Sequence, residues 1–262
     1  MSESATLQLF GFLFGSVVGS FANACIYRLP RDLSIIFPRS RCTRCGSLIR
    51  FYDNIPLLSY VLLHGRCRRC GTAFGSRYFW IELTIGGIAW WLVRTRGVGF
   101  ASVYYFFFSA ALVTVSAIDF EHRIIPNSIS ISAIGIGLVV AFGAHWIGFD
   151  WNVAPVEAVI GAVSGAGLLW GVGWAYEKVT DREGIGLGDV KLLAGFGAHA
   201  GVGGVLTSLF YGSLFGSLVG VSLVVFRGKT TKYPIPFGPF LCLGLLLYAL
   251  GGQEWMYRVL TR

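Results

Sequence analysis

Two aspartates stand where apolar runs meet polar ones. Asp119 ends the run ALVTVSAID, and Asp189 closes the glycine-rich GIGLGD immediately before another apolar stretch. An acid beside hydrocarbon is costly unless it is paired or used, so each is a candidate functional group. Helix capping or solvation at an interface accounts for a single such acid. A second one changes the chemistry, because two carboxylates in a partly dry site do not both ionise easily and tend to share a proton. Such a pair can hydrolyse an amide: one carboxylate takes a proton from the attacking water while the protonated partner donates to the carbonyl oxygen. The charges of helix ends cast Asp189, at a helix start, as base and Asp119, at a helix finish, as acid.

A second constellation is metal-binding. RCTRCG and GRCRRCG supply Cys42, Cys45, Cys67 and Cys70, two CxxC pairs with 21 residues between them. This is close to the spacing of zinc sites with four Cys ligands, which are coordinatively closed and fold a loop rather than catalyse. Two disulfides are the alternative, which a reducing compartment disfavours. Cys25 and Cys242 fall in apolar runs and read as packing residues.

The elements that must hold these groups are membrane spans. Of 262 residues, 55% are hydrophobic and only 13% charged, about half the charge of a soluble domain. About 20 apolar residues cross a bilayer core. Apolar segments run near 6–27, 78–93, 101–118, 128–147, 153–176, 190–201, 205–226 and 237–252, which predicts an all-α polytopic membrane protein of about eight transmembrane helices. Residues 1–27 form the first span, 28–77 a small cytosolic zinc-ribbon-like insertion, and 78–262 the remaining membrane domain. The first span has no basic segment before it and no cleavage site after it, so it is expected to be retained. Its Gly11, Gly15, Gly19 and Ser20 make a small-residue stripe suited to close helix packing.

The net charge of +8 is concentrated in one place: ten arginines lie between Arg28 and Arg77. The positive-inside rule puts that loop in the cytosol. Eight alternating spans then place seventeen of the 21 basic residues inside and four outside. The same topology brings the end of the third span, the start of the sixth and the start of the eighth to the cytosolic edge. A basic loop beside a membrane fits contact with lipid head groups. Its lack of interleaved aromatic residues argues against nucleic acid.

Several further residues are candidates on that face. Gly186 and Gly188 flank Leu187 and would let a substrate backbone approach; their spacing is not that of a dinucleotide site. Lys191 is two residues from Asp189, so on a helix it faces elsewhere. The run YPIPFGPF from Tyr233 to Phe240, with Pro236 and Gly238, reads either as a helix entry or as extended backbone offered to a substrate strand. Glu82 reads either as a supporting site residue or as an interfacial acid paired with Arg77 or Arg50.

GLGD following an upstream membrane aspartate resembles the GxGD intramembrane aspartic proteases. Five segments narrow the likeness: GSFANACIYRLP, YDNIPLLSY, AIDFEHRIIPN, GLGDVKLLAGFGA and IPFGPFLCLG. In that order they are similar to those of type IV prepilin peptidases, across almost the whole chain. Glu121 and Asn127 are the departures noted, and neither disturbs the aspartate spacing. The resemblance implies a bacterial inner-membrane enzyme that cuts the basic leader from prepilins or type II secretion pseudopilins. It also implies N-methylation of the new terminus with S-adenosylmethionine, for which Asp53, Asn54 and Pro56 of the YDNIP segment are the candidates, with Glu82 beside them. A proton-coupled transporter would carry its acids near the midplane between repeated halves, and no internal repeat is evident. A zinc-loop scaffold without catalysis would tolerate loss of either aspartate.

Overall fold

The computed structural model describes residues 3–149, 153–181, 184–227 and 236–252. Among these the regular structure is helical, with isolated β-bridges only in the Cys-rich region. The chain divides into two compact units, Met1–Thr114 and Val115–Arg262.

The first unit is built on α1 (Glu3–Arg28) and α3 (Arg77–Arg96). The small-residue stripe of α1 lies against α3. A Cβ on Gly15 would come within 2.7 Å of Ala89 Cβ, and one on Gly19 within 2.7 Å of Glu82 Cα. Small residues let the two backbones approach closely, the main source of attraction where lipid is as apolar as leucine. Between these helices the chain forms a 3-10 turn at Phe51–Asn54 and the short α2 (Leu58–Leu62). Two hairpins, bridged at Arg41 with Leu48 and at Arg66 with Ala73, carry the cysteines. The first half of α4 (Phe100–His122) completes the unit.

The second unit holds the end of α4, then α5 (Asn127–Trp146), α6 (Pro155–Thr180), α7 (Leu187–Arg227) and α8 (Gly238–Leu247), which closes in a π-helical turn, Tyr248–Gly252. Helix α7 is central, with Leu192, Leu193, Phe196 and Val205 almost fully buried. Glycines again permit the contact with α6: Gly161 and Gly197 meet backbone to backbone. Gly197→Leu is expected to force these helices apart and to lower thermal stability, overpacking costing about 1–3 kcal/mol. Thermal unfolding of the purified protein in nanodiscs checks it.

Five helices have the length and apolarity of membrane spans: Glu3–Arg31, Phe100–His122, Asn127–Trp146, Pro155–Thr180 and Leu187–Phe226. The sequence predicts eight segments, and three features account for the difference. Helix α3 carries four charges, Arg77, Glu82, Arg94 and Arg96. The apolar helix at Gly238–Gly251 is short. The sixth and seventh segments run together as α7, whose 41 residues would extend about 62 Å if straight, twice a bilayer core. They do not run straight: Gly201 takes φ 62° and ψ −167°, a non-helical geometry that interrupts α7. The Tyr248 hydroxyl donates to the carbonyl of Ala200 beside this break, at 3.2 Å. Apolar side chains such as Phe10, Val139, Val163 and Phe210 project outward, each more than half exposed. Such a surface suits hydrocarbon rather than water.

Candidate active site and metal centre

Asp119 and Asp189 meet at one end of the second unit. Asp119 lies in the last turn of α4 and is 6% exposed. Asp189 is the third residue of α7, in a start tightened by its own N–H donating to the Gly186 carbonyl at 3.1 Å. The two carboxylates are near enough to feel each other's charge, and Cys242, buried in α8, feels both. Asp189 Oδ1 is buried and has no hydrogen-bond partner among the described residues.

Helix α8 completes the site. Gly238 begins it, and its backbone N–H donates to the Asp119 carboxylate. A Cβ on Gly238 would stand 2.6 Å from Asp119 Oδ2 and 3.2 Å from its Cγ, so only glycine leaves that carboxylate in place. Ile125 packs beneath, within 3.1 Å of a Cβ built on Gly188 and 3.3 Å of one on Gly238. Lys191 turns from the aspartates and donates to Asn127 Oδ1 at 3.0 Å, joining the starts of α7 and α5.

Three expectations change here. Asp119 stands at the finish of α4 but also against the start of α8, so helix-end charges do not separate the two aspartates into base and acid. Neither Gly186 nor Gly188 takes a positive φ; Gly188 serves packing on Ile125, while a Cβ on Gly186 would rest in ordinary contact with Asp189 Oδ2, at 3.7 Å. Phe237 and Gly238 enter a helix rather than an extended strand, and Tyr233, Pro234 and Ile235 lie outside the described residues. The part sequence reasoning missed is Ile125. Its one available signal is position, between Asp119 and the Pro126 that opens α5.

The cysteines form a cluster in the first unit. All four Sγ atoms lie within 4.8 Å of one another, and Cys42 and Cys70 are 3.8 Å apart. A tetrahedron with metal–sulfur arms of about 2.3 Å has edges of about 3.8 Å, whereas a disulfide needs about 2.05 Å. Each CxxC is a tight turn: Cys42 N–H donates to Ser47 and Gly46 N–H back to Cys42, and Cys67 N–H donates to Thr72 and Gly71 N–H back to Cys67. These turns aim donors at sulfur. The Cys70 and Arg69 N–H groups pull the Cys67 thiol down, as the Ser47 hydroxyl and N–H do for Cys45 and those of Thr72 for Cys70. Cys42 receives N–H donors from Cys45 and Arg44, yet burial and the neighbouring thiols Cys45 and Cys67 hold it up. A divalent ion would release that last proton. The donor set fits a metal.

Asp53, Asn54, Pro56 and Glu82 are also gathered in the first unit. Asp53 is clamped by Arg68, which donates from Nη2 at 2.7 Å and from Nε at 2.9 Å to Oδ1. Asn54 ends the 3-10 turn, and Pro56 accepts the Leu58 N–H at 2.6 Å. Glu82 is buried and accepts the Leu57 N–H at 2.7 Å and the Ser20 hydroxyl.

The comparisons with known proteins follow the same division. Residues 13–95 match the Bacterial Peptidase A24 N-terminal domain, and residues 106–221 match the type IV leader peptidase family. Three curated relatives carry the name prepilin leader peptidase/N-methyltransferase. One from Burkholderia pseudomallei is 34% identical over 261 residues, covering 90% of this chain and 82% of the relative. One from Pseudomonas aeruginosa is 31% identical over 276 residues, covering 97% and 93%. One from Dichelobacter nodosus is 32% identical over 273 residues, covering 92% and 91%. No solved structure matches. With relatives of this identity aligned over nearly its full length, the chain belongs to the type IV leader peptidase family, peptidase A24.

Proposed function

We propose that this chain is a membrane aspartic endopeptidase that cuts the basic leader from type IV prepilins or type II secretion pseudopilins and then N-methylates the new terminus. The observation that carries the peptidase reading is the meeting of Asp119 and Asp189 against the start of α8, in a chain of this family. With one proton shared between them, one carboxylate deprotonates water as it attacks the scissile carbonyl. The other protonates the oxygen, and collapse of the tetrahedral adduct passes a proton to the leaving amine.

In this reading the membrane is crossed eight times, by α1, α3, α4, α5, α6, the two halves of α7, and α8. The arginine-rich loop then lies in the cytosol of a bacterial inner membrane, where its charge meets anionic lipid head groups. The same count returns Asp119, Asp189 and Gly238 to the cytosolic edge. A pilin's apolar segment would sit in the bilayer while its basic leader stays inside. Residues 28–77 form the zinc-ribbon-like domain, with Cys42, Cys45, Cys67 and Cys70 holding one structural zinc, and 78–262 the peptidase domain.

Of the supporting residues, Gly238 has the clearest task. Gly238→Ala is expected to slow leader cleavage about 10²-fold, the cost of a misplaced reacting group, while Pro236→Ala has a smaller effect. If both variants cut at the wild-type rate, this chain segment has no part in the site. Gly186, beside Asp189, is where the substrate backbone would approach, and Lys191 acts through Asn127.

Methyl transfer rests on the relatives' name and on the residues of the first unit, Asp53, Asn54, Pro56 and Glu82. S-adenosylmethionine supplies a methyl on a sulfonium; the new amine takes that carbon, the carbon–sulfur pair stays on sulfur, and the amine's extra proton leaves to solvent. The whole reading is tested by incubating membranes carrying the enzyme with a synthetic prepilin and weighing the product. Leader removal with one added methyl is expected. An unmethylated mature product would leave a peptidase alone, and an uncut prepilin would remove the reading altogether.

A further inference from the structure

Residues 123–126 join α4 to α5, and their sequence leaves one of them little freedom. Arg123 takes a left-handed φ of 56°, and its N–H donates to the Asp119 carbonyl at 2.8 Å, a helix-ending motif that closes α4 one turn beyond the aspartate. Pro126 then opens α5 with φ −61° and ψ 130°, its carbonyl accepting the N–H groups of Ile129 and Ser130 at 3.0 and 3.1 Å. The residue before a proline is confined to extended backbone. That residue is Ile125, and branching at its Cβ stiffens χ1 as well. Its side chain is therefore aimed by the chain on either side of it.

That one side chain meets two helix starts. A Cβ built on Gly188 would lie 3.1 Å from Ile125 Cβ, 3.5 Å from Cδ1 and 3.6 Å from Cγ1. One built on Gly238 would lie 3.3 Å from Ile125 Cδ1, the Ile125 atom nearest to it. Ile125 therefore bridges the start of α7, where Asp189 follows Gly188, and the start of α8, where the Gly238 N–H holds Asp119. The chain entering α7 has little else to fix it. Gly184, Gly186 and Gly188 are conformationally permissive, and Leu187 between the last two is 65% exposed. Packing of this start falls to Ile125, and close-packed aliphatic contacts transmit a shift rather than absorb it.

We infer that Ile125 is a positioning residue of the peptidase, a spacer between the starts of α7 and α8 that sets the separation of the Asp119 and Asp189 carboxylates. The inference rests on the peptidase reading above and adds a residue to its machinery. Two carboxylates share a proton only while it stays within hydrogen-bond reach of both. A reacting group misplaced by about 1 Å costs about 10²-fold in rate. The spacer acts on both members at once: through Cβ and Cγ1 on the helix that carries Asp189, and through Cδ1 on the glycine whose N–H holds Asp119.

The test is the steady-state kinetics of prepilin cleavage by the full-length protein in nanodiscs, comparing wild type with Ile125→Val, Ile125→Ala and Ile134→Ala, with thermal unfolding of each. Ile125→Ala removes every atom beyond Cβ, and its kcat is expected to fall about 10²-fold with KM unchanged. Ile125→Val loses only Cδ1, the atom toward Gly238, and keeps the contact with Gly188. Its kcat is expected to lie between those of wild type and Ile125→Ala, again with KM unchanged. Ile134, partly exposed about two turns into α5, is the control: the same truncation is expected to lower thermal stability but to leave kcat as in wild type. Wild-type kcat in both Ile125 variants would overturn the spacer while leaving the peptidase reading intact. So would a raised KM at unchanged kcat, which marks a substrate contact, or an equal loss of kcat in Ile134→Ala, which marks stability alone. A prepilin left uncut by wild type would remove the peptidase reading and the spacer with it.

Discussion

Asp119→Asn and Asp189→Asn are each expected to abolish leader cleavage, by about 10³-fold or more, and the double variant to be no worse than either. Loss of a positioned acid or base costs about 10²–10⁴-fold, and groups that act as one unit are strongly non-additive. The amide is close in shape to the carboxylate and still accepts the Gly238 N–H at position 119, so the end of α8 stays in place. What the amide lacks is the proton that the pair must share. Because Asp189 Oδ1 already lacks a partner among the described residues, an amide there adds no broken hydrogen bond to the folded state. Cleavage of a prepilin in membranes with matched protein levels, read as a leader-sized mobility shift with mass confirmation, measures this. Normal cutting by either single variant would refute the aspartic mechanism and favour a transporter or scaffold.

The second large effect is on the metal. Purified protein is expected to carry one zinc per chain, and Cys42→Ser or Cys70→Ser to carry almost none. Four sulfurs already lie within 4.8 Å of one another, so the ion is bound at little cost in rearrangement. Without it, clustered thiolates repel, and the hairpins are closed by a single bridge each. The loop should then lose its order, seen as faster tryptic cutting at its arginines. The residues proposed for methyl transfer, Asp53, Asn54, Pro56 and Glu82, lie in the same first unit as the cysteines. Zinc loss should therefore depress methyl transfer more than leader cleavage, whose proposed residues lie in the second unit. Metal analysis and the mass of the mature product give both readings from one preparation. A protein that folds and methylates normally without zinc would refute the structural role.

The two chemical centres were legible in the sequence because each announces itself locally. Asp119 and Asp189 are acids at the ends of apolar runs, and the cysteines keep a ligand spacing that survives any fold joining them. Hydropathy likewise marked most helix limits to within a few residues, since burial in lipid imposes length and composition directly. It also marked the boundary between the sixth and seventh segments, 190–201 and 205–226, where Gly201 interrupts α7, but not the φ of 62° that makes the break.

By itself, then, the sequence determined which residues carry the chemistry: the acids, the thiols and the apolar helices around them, all set by local pattern and solvent. Tertiary structure decided what those residues touch. The Gly238 N–H reaches Asp119 from far along the chain and cancels an argument made from the nearest helix ends alone. Asn23 is one amide in an apolar run until α3 leaves its oxygen buried without a partner among the described residues. Leu57 has no local reason to take a left-handed turn; Glu82, 25 residues away, holds it there. Spacing records what a residue is, whereas desolvation and hydrogen bonding depend on neighbours that only the packed chain supplies.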